Sequence, residues 1–286
     1  MVTMTENDGR RICDMTYEEK KEKLQKQMLV YAQGDVLVAF SGGVDSSLIL
    51  KLAVQAAVET GHKVYGIMMH TMLHPMGEVE DARATAEQIG AEFRVLEIDE
   101  LKGADILDNP VDRCYRCKKY LFRNLIEEGE KLGVSAMMEG TNEDDLHVYR
   151  PGLRAIRELG IHSPLAEAGM TKAEVRKLAG ELGISVSNKP SMPCLATRFP
   201  YGTRISYEAM RKVDEGEAFV RSLGFYNVRL RIHNDVARIE VDVNEMPRLL
   251  EHCEQIVAKL KNLGYDYITV DLEGFRSGSM DLHVKK

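Results

Sequence analysis

The sequence predicts an α/β protein in which a doubly wound parallel sheet is followed by a second, smaller α+β domain. Short apolar runs alternate with helical patterns over residues 35–182, which is typical of a parallel sheet with helices on both faces. The order of elements changes after the Pro- and Gly-containing stretch at residues 188–202. We therefore assign residues 1–200 to the first domain, with 1–15 disordered, and residues 201–286 to the second.

The elements of the first domain are marked by apolar runs and by signals at their ends. Gly61 and Gly90 are predicted to end two helices, because glycine readily adopts the left-handed conformation that closes a helix. Thr171 and Glu174 form a capping-box pattern that begins another helix. The predicted strands are Asp35–Phe40, Val64–His70, Glu92–Asp99 and Val134–Glu139, and the predicted helices are Thr16–Gln33, Ser46–Thr60, Glu78–Ile89, Tyr115–Leu132 and Thr171–Leu182.

The second domain is predicted to contain a helix, two strands, a helix and a last strand. Asn234 and Asp235 separate two strand-like runs and are typical of a tight hairpin turn. This order differs from the regular alternation before it and therefore indicates a separate α+β domain. The predicted elements are helix Tyr207–Leu223, strands Asn227–His233 and Val236–Asp242, helix Asn244–Leu263 and strand Tyr267–Leu272.

The overall charge and hydropathy limit the classes of function. The chain has 286 residues and a net charge of −7, with a pI near 5.7. Domains that coat nucleic acid are usually basic, so this balance disfavours a nucleic-acid partner. No apolar run is long enough to span a bilayer, and the first residues lack the apolar core of a secretory signal. We expect a cytoplasmic protein without a membrane partner.

The strongest local signal is the segment FSGGVDSS, between the first predicted strand and the helix that follows. Its two glycines allow a sharp turn and a close approach to an anion, and the helix N-terminus offers free N–H groups to a phosphate. The segment lacks the patterns of a Walker A loop and of a dinucleotide-binding fingerprint. It resembles the PP-loop, SGGxDS, of the ATP pyrophosphatases. The alternative is a glycine-rich turn without a ligand.

Candidate ATP-binding residues come from this loop and from the end of a later strand. Asp45 is a candidate either for holding Mg²⁺ or for orienting the loop. The segment Glu139–Asn142 follows the fourth predicted strand and is a candidate for the second half of the site, with a simple turn as the alternative. The candidate ATP-binding residues are Phe40, Ser41, Gly42, Gly43, Asp45, Ser46, Ser47 and Gly140.

Three of the five cysteines form a second candidate site. Cys114 and Cys117 are spaced so that both thiols share one face of a helix, and the helix N-terminus and four basic neighbours favour thiolates there. Cys194 lies in a loop that prolines stiffen. Three thiolates can bind a four-iron cluster and leave one iron open, but a zinc site with a fourth ligand, catalytic thiols without metal, and unrelated cysteines all stay open. Cys13 and Cys253 are expected to be bystanders, with Cys253 in the core.

Motifs along nearly the whole chain make it resemble the LarE family, the ATP-dependent sulfurtransferases that help make the nickel-pincer nucleotide of lactate racemase. The PP-loop alone defines only a superfamily, whereas the later motifs together are far more specific. The matching motifs are SGGVDS at 41–46, YRPGL at 149–153, RFPYG at 198–202, VRLRIHND at 228–235 and GFRSG at 274–278.

The resemblance implies a reaction and its partners. ATP adenylates a carboxylate of a pyridinium biscarboxylate mononucleotide, pyrophosphate leaves, and sulfur then displaces AMP to give a thiocarboxylate. Adenylation is needed because a carboxylate oxygen is a poor leaving group and AMP is a good one. The implied partners are this small-molecule nucleotide, an upstream sulfide or sulfur donor, and further copies of the chain in a homo-oligomer.

The resemblance also separates two sources of sulfur. Some members of the family give up the sulfur of a single loop cysteine, whereas others carry three cysteines and use an iron–sulfur cluster as a renewable carrier. Cys114, Cys117 and Cys194 match the second type, which implies a [4Fe-4S] cluster and disfavours sacrificial chemistry. These three cysteines and Asp45 are therefore the candidate catalytic residues.

Three arginines and one glutamate complete the candidate site. Arg229 and Arg231 alternate along a predicted strand, so they share a face, and two guanidinium groups suit a nucleotide phosphate. A solvated strand face is the alternative. Arg198, close to Cys194 in sequence, is a third candidate for the phosphate or for offsetting thiolate charge. Glu217 falls where the family has an active-site glutamate and is a possible Mg²⁺ ligand, with a surface position as the alternative.

Three other functions stay as alternatives. A PP-loop tRNA thiolase would use a similar cluster to modify a base carbonyl, but the acidic charge and the lack of a recognisable RNA-binding appendage disfavour it. An amidating PP-loop enzyme would use ammonia and would need no group of three cysteines. A nucleotide-sensing or metal-carrying module would bind ATP without turnover.

Overall fold

The computed structural model describes residues 14–71, 78–185, 194–276 and 280. Most of the N-terminal segment predicted to be disordered lies outside these residues, as do Cys13 and the prolines before Cys194.

The chain divides into two compact units. Residues 98–120 group with the second unit, although the sequence-based division at residue 200 assigns them to the first domain. The first unit takes in the described residues of Met1–His70, Glu78–Glu97 and Leu121–Ser191, and the second takes in those of Thr71–Gly77, Ile98–Tyr120 and Met192–Lys286.

The regular elements follow the predicted order closely. The helices are α1 (Tyr17–Tyr31), α2 (Val44–Thr60), α3 (Glu78–Ile89), α4 (Glu100–Gly103), α5 (Arg113–Leu132), α6 (Gly152–Glu158), α7 (Pro164–Glu167), α8 (Lys172–Glu181), α9 (Tyr207–Ser222), α10 (Met246–Glu251) and α11 (Cys253–Asn262). The strands are β1 (Val36–Ala39), β2 (Val64–His70), β3 (Glu92–Glu97), β4 (Ala136–Met138), β5 (Arg229–His233), β6 (Val236–Glu240) and β7 (Tyr267–Val270). Short 3-10 turns span Glu143–His147, Leu195–Arg198 and Val243–Glu245.

The first unit contains a parallel sheet with the strand order β3-β2-β1-β4. In the register of this sheet, Val36 of β1 pairs with Val64 of β2 and with Ala136 of β4. All four residues of β1 are buried, as expected for a central strand of a parallel sheet. The predicted α/β class is therefore confirmed.

Both faces of this sheet are covered by helices. Val36 and Val38 belong to a buried cluster with apolar residues of α1, α2 and α8. Leu37 and Ala39 belong to a second cluster, which includes Phe122 of α5. Because successive side chains of a strand point to opposite faces, the two clusters lie on opposite sides of β1. This arrangement is that of a doubly wound sheet, and it leaves the carboxyl ends of the strands for a ligand site.

The second unit contains a mixed sheet. β5 and β6 form an antiparallel hairpin, and β7 pairs in parallel with β6. Asn234 adopts a φ of +58° in the hairpin turn, a conformation that asparagine tolerates better than most residues. Leu230 and Ile232 of β5 enter a buried cluster with Val213 of α9 and Leu260 of α11. The predicted small α+β element is therefore present.

The prediction of one helix over Asn244–Leu263 is wrong. A 3-10 turn comes first, and α10 and α11 then meet at His252, which lies between them with φ −97°. The apolar spacing from Leu249 to Leu260 continues across this break, so the periodicity gave no sign of it. The His252 ring instead packs edge-on against Phe225, with 6.1 Å between ring centroids.

Some local expectations also need correction. Cys253, expected in the core, is the first residue of α11 and is exposed. Helices α4, α6 and α7 were not predicted, because segments of 4, 7 and 4 residues are too short to show a helical period. Within the described residues, no helix combines the length and the apolar character that a membrane span requires.

Candidate active site

The phosphate loop joins β1 to α2 through a tight backbone turn. Gly42 has a φ of +69°, a region that favours glycine over any residue with a side chain. A Cβ atom at Gly42 would lie 3.2 Å from the Cβ and 3.3 Å from the Cα of Ala82. Glycine is therefore required at this position both by the backbone conformation and by the close approach of α3.

Ser46 holds the loop together. Its Oγ accepts a hydrogen bond from the backbone N of Ser41 at 3.2 Å, lies 3.1 Å from the Ser41 Oγ, and donates to the Gly43 carbonyl at 3.2 Å. Gly43 is the N-cap of α2 and supplies no side-chain capping bond. The N-terminus of this 17-residue helix is therefore left for an anion, which its dipole and free N–H groups favour.

Asp45 is bonded by two residues that are distant in sequence. Asn142 Nδ2 donates to Asp45 Oδ1 at 3.1 Å, and Lys172 Nζ forms an ion pair with Asp45 Oδ2. Lys172 is the first residue of α8, and its backbone N donates to Asp144 Oδ2 at 2.9 Å. The capping box at Thr171 could have placed Lys172 at a helix start, but no sequence signal shows that it faces a residue 127 positions away.

The predicted second half of the site lies against the loop. A Cβ atom at Gly140 would lie 3.0 Å from the backbone N of Ser46 and 3.1 Å from the Cβ of Asp45. Glu139, which precedes it, accepts hydrogen bonds on Oε1 from Thr141 N at 3.0 Å and from a serine hydroxyl at 2.6 Å. Gly140 therefore allows the end of β4 to approach the start of α2 closely, which is a positioning role.

Besides Ser46, two of the predicted ATP-binding residues, Phe40 and Ser47, have buried side chains. The Phe40 ring packs edge-on against Phe93, with 6.1 Å between ring centroids. Ser47 is fully buried, and within the described part of the chain its Oγ has no hydrogen-bond partner. The structure thus places both side chains in the interior of the first unit, whereas Ser41 and Asp45 remain partly accessible.

The three predicted cluster cysteines all belong to the second unit. Cys114 is exposed near the start of α5, Cys117 is half-buried one turn later, and Cys194 is half-buried just before the 3-10 turn at Leu195–Arg198. Cys117 and Cys194 both pack against the same apolar cluster. Burial raises the pKa of both thiols, and for Cys117 the charge of nearby acidic groups raises it further. Burial therefore opposes the thiolate that the basic neighbours were expected to favour at Cys117.

Arg113, one of the four basic neighbours of the cysteine pair, contacts a thiol. Arg113 is buried, and its Nη2 donates to Cys114 Sγ at 3.7 Å. Arg116 instead forms ion pairs with Asp105 and Asp112 at 3.0 and 2.9 Å. The sequence showed the basic residues but could not show which of them turns toward the sulfur.

The three cysteines carry soft sulfur donors, the ligand type that iron–sulfur clusters use. Among residues 14–71, 78–185 and 194–276, no group of three or more His, Cys, Asp or Glu side chains is arranged to hold a metal ion. The described residues therefore show no preformed metal site, either for zinc, which would need a fourth ligand, or for a cluster.

Glu217 and Arg198 form a buried ion pair. Arg198 Nε and Nη2 donate to the two carboxylate oxygens of Glu217 at 2.7 and 2.9 Å, and the side chains are only 2% and 1% exposed. Leu230 N and Arg221 Nη1 add further hydrogen bonds at 2.9 and 3.2 Å. Burial alone would raise the pKa of Glu217, but the hydrogen bonds and charge of Arg198 hold it below its usual range. Both oxygens are occupied, so the geometry favours an architectural role over the predicted Mg²⁺ role.

Arg231 is similarly committed to protein partners. Its Nε and Nη2 contact the two oxygens of Glu240 at 3.1 Å each, and its Nη1 donates to the Thr197 carbonyl at 2.7 Å. Arg231 therefore fixes the segment after Cys194 against β5. Its charge is balanced before any substrate arrives.

Arg229 differs from the other two predicted phosphate ligands. Its Nη1 donates to the Val228 carbonyl at 2.7 Å, and its guanidinium lies 5.0 Å from the centroid of the Phe275 ring. Within the described residues it forms no ion pair with a carboxylate. Burial, and then the nearby positive charges of Arg198 and Arg231, lower the pKa of Arg229 to about 10. An anion bound here would relieve that repulsion, so Arg229 is the arginine best suited to a substrate phosphate.

The segment that contains the phosphate loop matches a known protein family. The model of a family described as NAD synthase matches residues 16–109 of this chain. The matched range includes β1, the loop and α2, which together form the anion site described above.

At least three relatives align with nearly the whole chain. The chain is 38% identical over 260 residues to the pyridinium-3,5-bisthiocarboxylic acid mononucleotide synthase of Lactiplantibacillus plantarum, an alignment that covers 90% of this chain and 94% of that protein. It is 35% identical over 264 residues to an uncharacterised protein of Synechocystis, with 91% of this chain and 97% of that protein covered.

A partial similarity extends to tRNA-modifying enzymes. The chain is 29% identical over 197 residues to the tRNA-specific 2-thiouridylase MnmA of Rickettsia massiliae. That alignment covers 55% of this chain and 52% of that protein.

Proposed function

Because the chain belongs to the LarE family of ATP-dependent sulfurtransferases, we propose that it converts the carboxylates of a pyridinium biscarboxylate mononucleotide into thiocarboxylates. The observation that carries this proposal is the combination, on one chain, of an ATP-type phosphate loop with three cysteines in one unit. The loop supplies activation and the thiols supply sulfur chemistry. We propose that the product serves the synthesis of a nickel-pincer nucleotide of the lactate racemase type.

The activation step is proposed to take place at the phosphate loop. A substrate carboxylate oxygen attacks the α-phosphorus of ATP, a new P–O bond forms, and the bond to pyrophosphate breaks. The N-terminus of α2 is suited to bind the leaving pyrophosphate, because its N–H groups are not capped by a side chain. Ser41 and Ser46, which bond each other here, have hydroxyl groups within the same turn.

Asp45 is proposed to hold Mg²⁺. Carboxylate oxygens are ligands that Mg²⁺ prefers, and Mg²⁺ bound with ATP phosphates would neutralise charge as pyrophosphate leaves. The present partners of Asp45 can be exchanged, since the side chains of Asp45 and Lys172 are 21% and 36% exposed. Lys172 would then be released to contact the phosphates of ATP.

The sulfur step is proposed to use Cys114, Cys117 and Cys194. Sulfur attacks the activated acyl carbon, a C–S bond forms, and the C–O bond to AMP breaks. A [4Fe-4S] cluster held by these thiols would supply an iron atom without a protein ligand, at which a sulfide from an upstream donor can bind. The carrier would then be renewable. Arg229 is proposed to bind the nucleotide phosphate. Arg198 and Arg231 lie near Arg229 and are held in place by their own ion pairs.

The direct test is product analysis. Purified protein is incubated without oxygen with ATP, Mg²⁺, sulfide and the pyridinium substrate. Mass spectrometry is expected to show replacement of carboxylate oxygen by sulfur, with AMP and pyrophosphate formed in step with it. Pyrophosphate release at the same rate with and without the pyridinium substrate would contradict the proposed substrate class.

Metal analysis tests the proposed carrier. Iron, zinc and acid-labile sulfide are measured in protein purified without oxygen, for the wild type and for Cys114→Ala. We expect iron and sulfide in the wild type and their loss in the variant. Zinc, or no metal even after reconstitution, would move the sulfur source to a cysteine side chain.

A second candidate function is tRNA thiolation, which the partial similarity to MnmA favours. It would adenylate a base carbonyl, and its tRNA binding would weaken steeply as salt rises. The same reaction mixture with bulk tRNA in place of the pyridinium substrate separates the two. Incorporation of sulfur into tRNA would replace the first proposal with this one.

A further inference from the structure

Asn142 is a buried polar residue whose side-chain amide is bonded at both ends. It is only 2% exposed, and it is the N-cap of the 3-10 turn Glu143–His147. Its Oδ1 accepts a hydrogen bond from the backbone N of Asp145 at 3.3 Å, and its Nδ2 donates to Asp45 Oδ1 at 3.1 Å. One amide group thus connects the start of this turn to the phosphate loop.

The capping role of Asn142 fixes the direction of its amide. An N-cap side chain presents an acceptor to the turn, so the oxygen of Asn142 is directed at Asp145 N and its NH2 group is left to face Asp45. Asp145 is itself anchored, since its Oδ2 accepts from Asn142 N at 3.2 Å and its Oδ1 pairs with Arg150 Nη2 at 2.9 Å. The direction of the amide is therefore set by the turn and does not depend on Asp45.

The backbone on either side of Asn142 is also held in place. The carbonyl of Thr141 accepts a hydrogen bond from Ala166 N, in α7, at 3.1 Å. The backbone N of Glu143 donates to the Met170 carbonyl, just before α8, at 2.9 Å. Asn142 is therefore fixed through its neighbours in the chain as well as through its own side chain.

The two carboxylate oxygens of Asp45 have partners of different kinds. Oδ1 accepts from Asn142, which is neutral and buried, whereas Oδ2 pairs with Lys172 Nζ, whose side chain is 36% exposed. A partly exposed ion pair exchanges partners at little cost, whereas a bond to a buried partner is more costly to break. All three residues belong to the first unit. The geometry therefore separates a fixed oxygen of Asp45 from an exchangeable one.

We propose that Asn142 is the positioning residue of Asp45. Its amide holds Oδ1, so that Asp45 keeps one orientation and presents Oδ2 to the ATP site when Lys172 leaves. This inference rests on the activation step at the phosphate loop in the proposed function. It adds that the carboxylate is preorganised by a residue 97 positions away. Preorganisation strengthens binding, because a side chain that is already held loses less conformational freedom when the ligand arrives.

The experiment measures the affinity for ATP with Mg²⁺, by calorimetry, for variants that separate the two bonds of the Asn142 amide. Asn142→Ser keeps an oxygen that can cap the turn but removes the NH2 group that reaches Asp45. Asn142→Ala removes both bonds. Asn227→Ser is the matched control, because Asn227 Nδ2 donates to both oxygens of Asp242 at 3.1 Å in the second unit. Thermal unfolding reports whether each variant is folded.

Asn142→Ser is expected to bind ATP about tenfold more weakly than the wild type, the size of effect expected for one hydrogen bond to a charged group, and to unfold near the wild-type temperature. Asn142→Ala should bind ATP as Asn142→Ser does and unfold at a lower temperature, because the cap is lost as well. Asn227→Ser should bind ATP like the wild type. Added to Asp45→Ala, Asn142→Ser should weaken binding no further, because two residues that act through one contact are not additive.

Three results would overturn the role of Asn142 and leave the proposed function intact. The first is unchanged ATP affinity, or failure to fold, in Asn142→Ser, since the residue would then have no role in binding or a structural one. The second is an equal loss of affinity in Asn227→Ser. The third is a further loss when Asn142→Ser is added to Asp45→Ala.

A very weak Asp45→Ala variant is covered by the alanine variant of Asn142. If Asp45→Ala binds ATP too weakly to measure, equal affinities of Asn142→Ala and Asn142→Ser support the role of Asn142. Weaker binding by Asn142→Ala than by Asn142→Ser then overturns it, because the cap itself would be responsible. A wild type that does not bind ATP overturns both the activation step and this inference.

Discussion

The phosphate loop of the first unit and the arginine–glutamate pairs of the second unit handle charge in opposite ways. At the loop, the Asp45–Lys172 pair is partly exposed, with side-chain exposures of 21% and 36%. In the second unit, the Arg198–Glu217 pair is almost fully buried, and each carboxylate oxygen has an arginine partner. Exposed pairs exchange partners at little cost, whereas buried pairs are costly to break. The first kind of pair therefore suits a ligand site, and the second suits the framework around one.

The largest expected effect is on the buried pair. Glu217→Ala leaves Arg198 as an uncompensated buried charge and also removes the acceptor for Leu230 N. We expect the free energy of unfolding to fall by about 3–5 kcal/mol, measured by denaturant titration. Glu208→Ala on the same helix removes an exposed partner of Lys212 and should leave the midpoint unchanged. A Glu217→Ala variant as stable as this control would show that the pair is not structural.

The next largest effect is expected from a substitution at Gly42 in the backbone of the phosphate loop. Gly42→Ala forces a side chain into a left-handed conformation and against Ala82, and we expect a stability loss of about 1–2 kcal/mol, measured by thermal unfolding. Gly43→Ala is the matched control, because Gly43 has φ −80° and its added Cβ would meet only the Ser41 Oγ, at 3.4 Å. Equal losses for the two variants would contradict the assignment of Gly42 as the strained position.

Because the Asp45–Lys172 pair can exchange partners, we expect substitution of Lys172 to change ATP binding rather than stability. Lys172→Met removes a cation that is proposed to move from Asp45 to the phosphates of ATP. We expect ATP with Mg²⁺ to bind about tenfold more weakly, as measured by calorimetry. Lys177→Met, on the same helix with its Nζ over the Tyr17 ring at 3.7 Å, should bind ATP like the wild type. Unchanged affinity in Lys172→Met would leave Lys172 with a structural role only.

For Arg229, we expect the stability of the protein to depend on pH and on a bound anion. The pKa of Arg229 is about 10, below the usual value, so the folded state disfavours the charged form of this side chain. The resulting loss of folding free energy is present at neutral pH and is relieved as the pH rises through 10. An anion should relieve it at neutral pH. Inorganic phosphate at ten times its dissociation constant should stabilise the wild type by about 1.4 kcal/mol, and Arg229→Met should lose this gain. Arg211→Met, an exposed control, should retain it.

The regular framework could be read largely from the sequence. Periodic apolar runs, glycine ends at Gly61 and Gly90, and the capping box at Thr171 are all local signals, and the structure bears them out. The break between α10 and α11 could not be foreseen, because the apolar spacing continues across it without a glycine or proline at His252.

The site was predictable only where its residues are adjacent in the chain. The phosphate loop is a single segment whose glycines and serines bond one another, so its pattern is visible in the sequence. The contact of Lys172 with Asp45 was missed because the two residues lie far apart along the chain. The burial of Cys117 and Cys194 could not be predicted from the sequence either. Burial raises the pKa of both thiols despite the basic residues nearby.

ATP activation and sulfur transfer are proposed to be two steps carried by different residues of this chain. Pyrophosphate and thiocarboxylate are measured together in one anaerobic assay for the wild type, Asp45→Ala and Cys194→Ala. We expect both products from the wild type, neither from Asp45→Ala, and pyrophosphate without thiocarboxylate from Cys194→Ala. Normal thiocarboxylate formation by Cys194→Ala, or by Asp45→Ala, would contradict this proposal.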